Sequence, residues 1–136
     1  MTAIVCVSDG GGVLFSRRRL SKDRAVTEDI VRLSAGGVLF VSEYSEPLFS
    51  DSDASIIVVS NPLKSAGDGD FAFVEDVSLA EHKEKICELV IYRWNRKYLF
   101  DTSLDINPER EGMALYQSSE FKGKSHDRIT REIWRK

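Results

Sequence analysis

Cysteine, histidine and proline are scarce in this chain, at two, two and three residues among 136. Cys6 and Cys87 are far apart and have no histidine at ligand spacing, which argues against a disulfide framework or a structural zinc site and leaves two buried thiols as the expectation. No apolar run is long enough for a membrane-spanning helix. The opening MTAIVCVSDG has no basic segment ahead of its short apolar run, so it reads as a first strand and not as a secretion signal. A reducing cytoplasm is the expected setting. Positive charge is not in excess either: 19 Lys and Arg face 22 Asp and Glu, for a net charge of -3, which gives no gross attraction to nucleic acid or an anionic membrane.

What is present is the composition of an ordinary folded domain of a size that can bury its own core. Ala3–Val7 is a β-branched run ending in Ser8-Asp9-Gly10-Gly11-Gly12, a central strand followed by a loop. The glycines match neither a dinucleotide fingerprint nor a P-loop. Arg24–Leu33 reads as a helix closed by Gly36-Gly37. Val38–Val41, the continuous run SIIVVS at 55–60, Phe71–Val74 and Leu89–Tyr92 read as further strands, the second of them buried on both faces. Ser78 with Glu81 is a capping box that predicts another helix. Strands interleaved with helices, then consecutive strands at the end, predict one α/β domain over 1–136, with a mostly parallel central sheet, flanking helices and an antiparallel C-terminal hairpin.

The stretch LVIYRWNRKYLFDTSLDI, from Leu89 to Ile106, resembles a strand of dihydrofolate reductases, with Asp101-Thr102 matching that family's Asp-Thr. SSEFKGKSHDRITREIWRK is similar to its final hairpin. AIVCVSDGGGVLFSRRRL looks like the family's first strand and substrate-covering loop, and AVTEDIVRL like the helix bearing its pterin-binding carboxylate, which falls on Asp29. The resemblance implies a shortened dihydrofolate reductase-like fold, lacking about one strand and one helix between Asn61 and Phe71.

The same resemblance implies a lost cofactor site. Val41-Ser42-Glu43-Tyr44 stands where the family has Gly-Arg-x-Thr for the NADPH phosphates. Val74-Glu75-Asp76 replaces the glycine pair that lets backbone approach the diphosphate, and Tyr92 replaces the Thr that supports the pterin carboxylate. No cofactor is expected. Ribonuclease Z chemistry is not supported, because a two-zinc nuclease needs a His-x-His-x-Asp-His cluster and the chain has only His82 and His126.

Three groups of residues are candidate sites. Asp29 is either an isolated carboxylate, raised in pKa by burial and able to serve catalysis, or a first-turn helix acid favoured by the helix dipole. Tyr92, Arg93, Trp94 and Arg96 combine cations with stacking faces and are candidate ligand contacts; Arg stacked on Trp within the sheet is the plainer reading. Arg17, Arg18 and Arg19 are a candidate anion-binding cluster and otherwise a solvated surface. Ser125-His126-Asp127 has the residue types of a hydrolytic triad, but adjacent positions rarely reach that geometry, so a hairpin turn is expected. The expected function is binding of a small molecule or a protein partner in a cleft between Asp29 and the Arg93-Trp94 strand. A reductase-like enzyme acting on a pterin-like heterocycle is the alternative, and nucleic-acid binding through Arg17, Arg18, Arg19, Arg93 and Arg96 the second.

Overall fold

The computed structural model describes residues 1–136. In chain order its elements are β1 (Thr2–Val7), β2 (Gly12–Phe15), β3 (Arg18–Arg19), α1 (Arg24–Leu33), β4 (Leu39–Val41), β5 (Ile56–Val58), the single turn α2 (Pro62–Ser65), β6 (Phe71–Phe73), β7 (Glu88–Arg93), β8 (Thr102–Ser103), β9 (Ala114–Phe121) and β10 (Ile129–Arg135). Seven strands form one sheet in the order β5-β4-β6-β1-β7-β10-β9, and β3-β2-β8 form a small second sheet. Pairings from β5 through β7 are parallel, and β10 runs antiparallel to both β7 and β9. This is the mostly parallel α/β sheet with an antiparallel finish that the sequence predicts.

Period-two alternation divides β1 and β7 between two cores. Ala3, Val5, Val7, Leu89 and Ile91 pack with Leu63, Ile86, Ile106 and Met113 on one face. Ile4, Val90, Tyr92 and Ile133 pack on the other against Val26 and Ile30 of α1, with Phe49 and Phe73. The helix starts where predicted because the Asp23 carboxylate accepts the Ala25 N–H at 2.8 Å, a cap of about 1 kcal/mol. Its buried residues Val26, Asp29 and Ile30 fall at i, i+3 and i+4, the spacing of one helix face. Gly36, at φ 88°, turns the chain away after the Ser34 cap.

Several expectations need correction. SIIVVS is the edge strand β5, paired only with β4, and Ile57 is 45% exposed. The helix expected from Ser78 is a 3-10 segment, Ala80–Lys85, broken by non-helical geometry at His82. Asp105, and not only Ser78, caps it by accepting the N–H groups of Leu79 and Ala80. Leu89–Leu104 is not one continuous strand, for β7 ends at Arg93 and Asn95 turns the chain at φ 56°. Cys87 is exposed. The supposed loop after the glycines is a hairpin, β2–β3, whose turn residues Ser16 and Arg17 both have positive φ; β8 pairs along its other side. Between Asn61 and Phe71 there is only α2 and a turn, the shortening expected there.

Candidate functional site

In parallel α/β sheets, ligands sit beyond the carboxyl ends of the strands. Here that edge, beyond β4, β6 and β1, is occupied by the chain itself. Arg19, at the end of the β2–β3 hairpin, makes a two-pronged ion pair with Glu75, Nε to Oε2 at 2.9 Å and Nη2 to Oε1 at 3.0 Å. Ser45 Oγ donates to the same carboxylate at 2.7 Å. The Tyr44 hydroxyl accepts the Arg19 N–H at 2.8 Å, and the Arg19 guanidinium lies over the Tyr44 ring, 4.4 Å from its centre. The hydrogen bond that Arg19 donates to Glu75 holds it above its ordinary pKa against the effect of burial. Beside them, burial first and then the Glu75 charge push the Cys6 thiol up, with Arg19 opposing. Glu43 and Asp76 are exposed.

Asp29 is buried at 8% exposure, but it is not isolated. Tyr92 Oη donates to its carboxylate at 2.6 Å, Arg131 Nη1 at 2.9 Å and Arg32 Nη2 at 3.3 Å. Tyr92 is wholly buried, and its hydroxyl is pushed up in pKa by burial first and then by the Asp29 charge. Arg131 also donates to Gln117 and Ser119 on β9, while its Nε is buried without a partner. An open groove of about 700 Å³ runs beside this cluster, with Arg32, Lys122, Lys124 and Arg131 on its walls together with Glu28, Asp29 and Glu120.

The aromatic and basic segment is dispersed. Arg93 follows Leu89 and Ile91 onto the sheet face opposite α1 and pairs with Glu132 at 2.9 Å. Tyr92 and Trp94 lie on the α1 face, so Asp29 and Arg93 do not share a cleft. Trp94 does not stack on an arginine; its ring lies on His126, with centres 4.6 Å apart and planes 25° apart. Arg96 is exposed and reaches Tyr98 at 3.4 Å. Of the arginine triplet, Arg17 and Arg18 are exposed, whereas Arg19 is spent on Glu75.

His126 does lie in the connection between β9 and β10, yet it faces inward. Its Nδ1 is 2.9 Å from Asp23 Oδ2, with side-chain exposures of 2% and 0%. Its Nε2 lies 3.1 Å from Ser21 Oγ and 2.9 Å from Tyr98 Oη. Asp23 also accepts the N–H groups of Lys124 and Ser125, each at 2.9 Å. Burial pushes its carboxyl up, but these backbone bonds, His126 and the Ala25 N–H outweigh it and hold the group well below the usual carboxylate range.

Sequence reading missed Ser21, Asp23 and Arg131, and named Glu75 without its partner Arg19. Asp23 had a signal as the polar residue just before a predicted helix. The others are joined only by folding, since Arg19 and Glu75 are 56 residues apart and Asp29 and Arg131 are 102 apart. No group of three or more His, Cys, Asp or Glu side chains is placed to hold a metal, and no helix is long and apolar enough to cross a membrane.

No family model matches the chain. No curated protein matches it either. Among solved structures it is similar to a dihydrofolate reductase from Enterococcus faecalis complexed with NADP(H) and RAB-propyl, with a TM-score of 0.68 at 9% sequence identity, over 98% of this chain and 94% of that one. At that identity the likeness shows the fold: this chain has a dihydrofolate reductase-like α/β fold.

Proposed function

We propose that this chain is a ligand-binding domain of reductase-like fold that does not use NADPH. The solved reductase of the same fold holds NADP(H). Here the bidentate Arg19–Glu75 pair, braced by Tyr44 and Ser45, takes up the crevice that such a cofactor would enter. That pair is the observation on which the reading rests. Because Glu75 is neutralised by Arg19, the obstacle is occupancy and the cost of opening the pair more than bare repulsion. Opening it would leave a carboxylate facing phosphate, at roughly 1 kcal/mol in water and about 4 kcal/mol at an effective dielectric of 20 for charges 4 Å apart. Exposed Glu43 and Asp76 add to the same field. Against a micromolar affinity of about 8 kcal/mol, these penalties are large.

The ligand is a small anionic molecule in the groove beside α1. Its volume of about 700 Å³ is in the range of ligand pockets, roughly 300–1,000 Å³. The four cations on its walls, Arg32, Lys122, Lys124 and Arg131, outnumber the three carboxylates Glu28, Asp29 and Glu120 by one, and Asp29 is already paired with Arg131 and Arg32. A reductase acting on a pterin-like heterocycle would need the Asp29 carboxylate free, and Tyr92, Arg131 and Arg32 occupy it. Titration calorimetry with NADPH tests the reading: no heat of binding is expected at about 100 μM ligand, a concentration within the range of ordinary KM values, roughly 1 μM–1 mM. Micromolar binding with hydride transfer to a dihydropterin would overturn it.

A further inference from the structure

Ser21, His126 and Asp23 come from the segment ahead of α1 and from the β9–β10 connection, and the reading above makes no use of them. Asp23 Oδ2 faces His126 Nδ1 at 2.9 Å. A carboxylate can only accept, so the neutral ring carries its proton on Nδ1 and leaves Nε2 as the acceptor. That nitrogen is 3.1 Å from Ser21 Oγ, within the 2.6–3.2 Å or so required between a nucleophile and its base, and 2.9 Å from Tyr98 Oη, which shares it. The ring cannot swing, because Trp94 is stacked on it. Asp23 in turn is held by backbone N–H groups of Ala25, Lys124 and Ser125. Acid and base are buried while Ser21 is partly exposed, which is the distribution of access that a hydroxyl nucleophile needs.

We infer that Ser21, His126 and Asp23 form a nucleophile, base and orienting acid for acyl transfer from a carboxylic ester with a short apolar acyl group. The acyl group has a place to lie. A cleft of about 540 Å³ adjoining the site is lined by Phe15, Leu20, Tyr98 and Leu99 with Arg18 and Arg19, and the Tyr98 hydroxyl is 3.2 Å from Ser21 Oγ. The backbone N–H groups of Ser21 and Lys22 donate to no backbone acceptor, which leaves donors beside the nucleophile for a developing oxyanion. In the first step Ser21 Oγ bonds to the ester carbonyl carbon and its proton passes to His126 Nε2. The bond to the alkoxy oxygen breaks, and His126 returns the proton to that oxygen, releasing the alcohol. Water then attacks the acyl-serine with His126 taking its proton, and the carboxylic acid leaves as Ser21 is restored. The overall change is ester plus water to acid plus alcohol, with no other reactant.

The test uses the full chain with p-nitrophenyl butyrate and, separately, with a fluorophosphonate followed by peptide mass mapping. The expected results are steady release of p-nitrophenol and a single phosphonyl adduct on Ser21. In Ser21→Ala, with its thermal midpoint measured alongside, hydrolysis should fall by about 10³-fold or more. Mapping on the unaltered chain needs no variant to fold. Equal hydrolysis by Ser21→Ala, an adduct at another residue, or neither hydrolysis nor adduct from the unaltered chain overturns the assignment.

Discussion

Replacing Asp23 with alanine is the most severe single change the structure offers at a polar position. The carboxylate caps α1 through Ala25 N–H, accepts the N–H groups of Lys124 and Ser125, and partners a histidine with 2% side-chain exposure. Loss of the cap costs about 1 kcal/mol. Stripping the acceptor from buried donors costs about 1–3 kcal/mol each, but these terms are not additive, and admitted water satisfies some donors. A total of about 3–5 kcal/mol is the expectation, typical of breaking a buried charge-assisted network. That is a large share of a stability of roughly 5–15 kcal/mol. The sign with pH follows from the carboxyl being held below its usual range. Its contribution is fully present above the unfolded value of about 3.9 and is lost as pH falls below it toward the folded value. Urea unfolding of the unaltered chain and Asp23→Ala at pH 7 and pH 3 measures both effects. The gap between the two proteins should be wide at pH 7 and narrower at pH 3, with unchanged m-values. A gap at pH 7 below about 1 kcal/mol, or one that widens on acidification, refutes the reasoning.

Other consequences are local. Tyr92→Phe removes the 2.6 Å bond to Asp29 and should cost about 1.5–3 kcal/mol, the range for a hydrogen bond to a charged group, read by urea unfolding. Gly12→Ala should destabilise by about 1–3 kcal/mol or more, because a Cβ there overlaps the Phe100 ring, whereas Gly11→Ala meets no atom and is limited to the strain of its positive φ. A thiol reagent should modify exposed Cys87 faster in the native state than half-buried Cys6, whose thiol is pushed up by burial and by Glu75; two equally fast thiols would contradict this.

The frame of the fold was legible because it rests on local pattern. The β-branched runs at Ala3–Val7 and Leu89–Tyr92 became the two central strands, and Arg24–Leu33 became α1 with those bounds. Pattern failed where the neighbour decides the outcome. SIIVVS has the composition of an interior strand, yet the chain supplies no strand beyond it. Trp94 and Arg96 alternate on paper, but β7 ends before them at Arg93 and the left-handed Asn95 turns the chain between them. The sites were less legible still, because their partners are far apart in sequence. Asp29 was read either as a buried carboxylate or as a first-turn helix acid; it is buried, and no acid lies in the first turn of α1, while the residues that decide its chemistry, Tyr92 and Arg131, arrive from β7 and β10. His126 was set aside because its sequence neighbours could not form a triad, when the acid and hydroxyl it meets lie about a hundred residues earlier.

The crevice and the Asp29 cluster share one physical device, in which charges that a ligand could satisfy are satisfied by the chain. They also adjoin one another, since Cys6 is the register partner of Tyr92 and its thiol feels Glu75. This makes the proposed loss of cofactor binding reversible in a specific way. In Glu75→Ala the guanidinium of Arg19 keeps its bond to the Tyr44 carbonyl and its place over the Tyr44 ring, but loses its counter-ion and becomes an oriented cation at the strand ends. The pair as a whole is neutral, so removing Glu75 changes the charge facing a phosphate by one unit, about 1–4 kcal/mol at 4 Å. Even the lower figure amounts to a gain of about fivefold. NADPH affinity should therefore rise in Glu75→Ala by at least about fivefold at low salt, fall again as salt is added, and be absent in the double variant Arg19→Ala/Glu75→Ala. Equal affinity of the unaltered chain and Glu75→Ala, measured by NADPH fluorescence, would mean that the ion pair is not what closes the crevice.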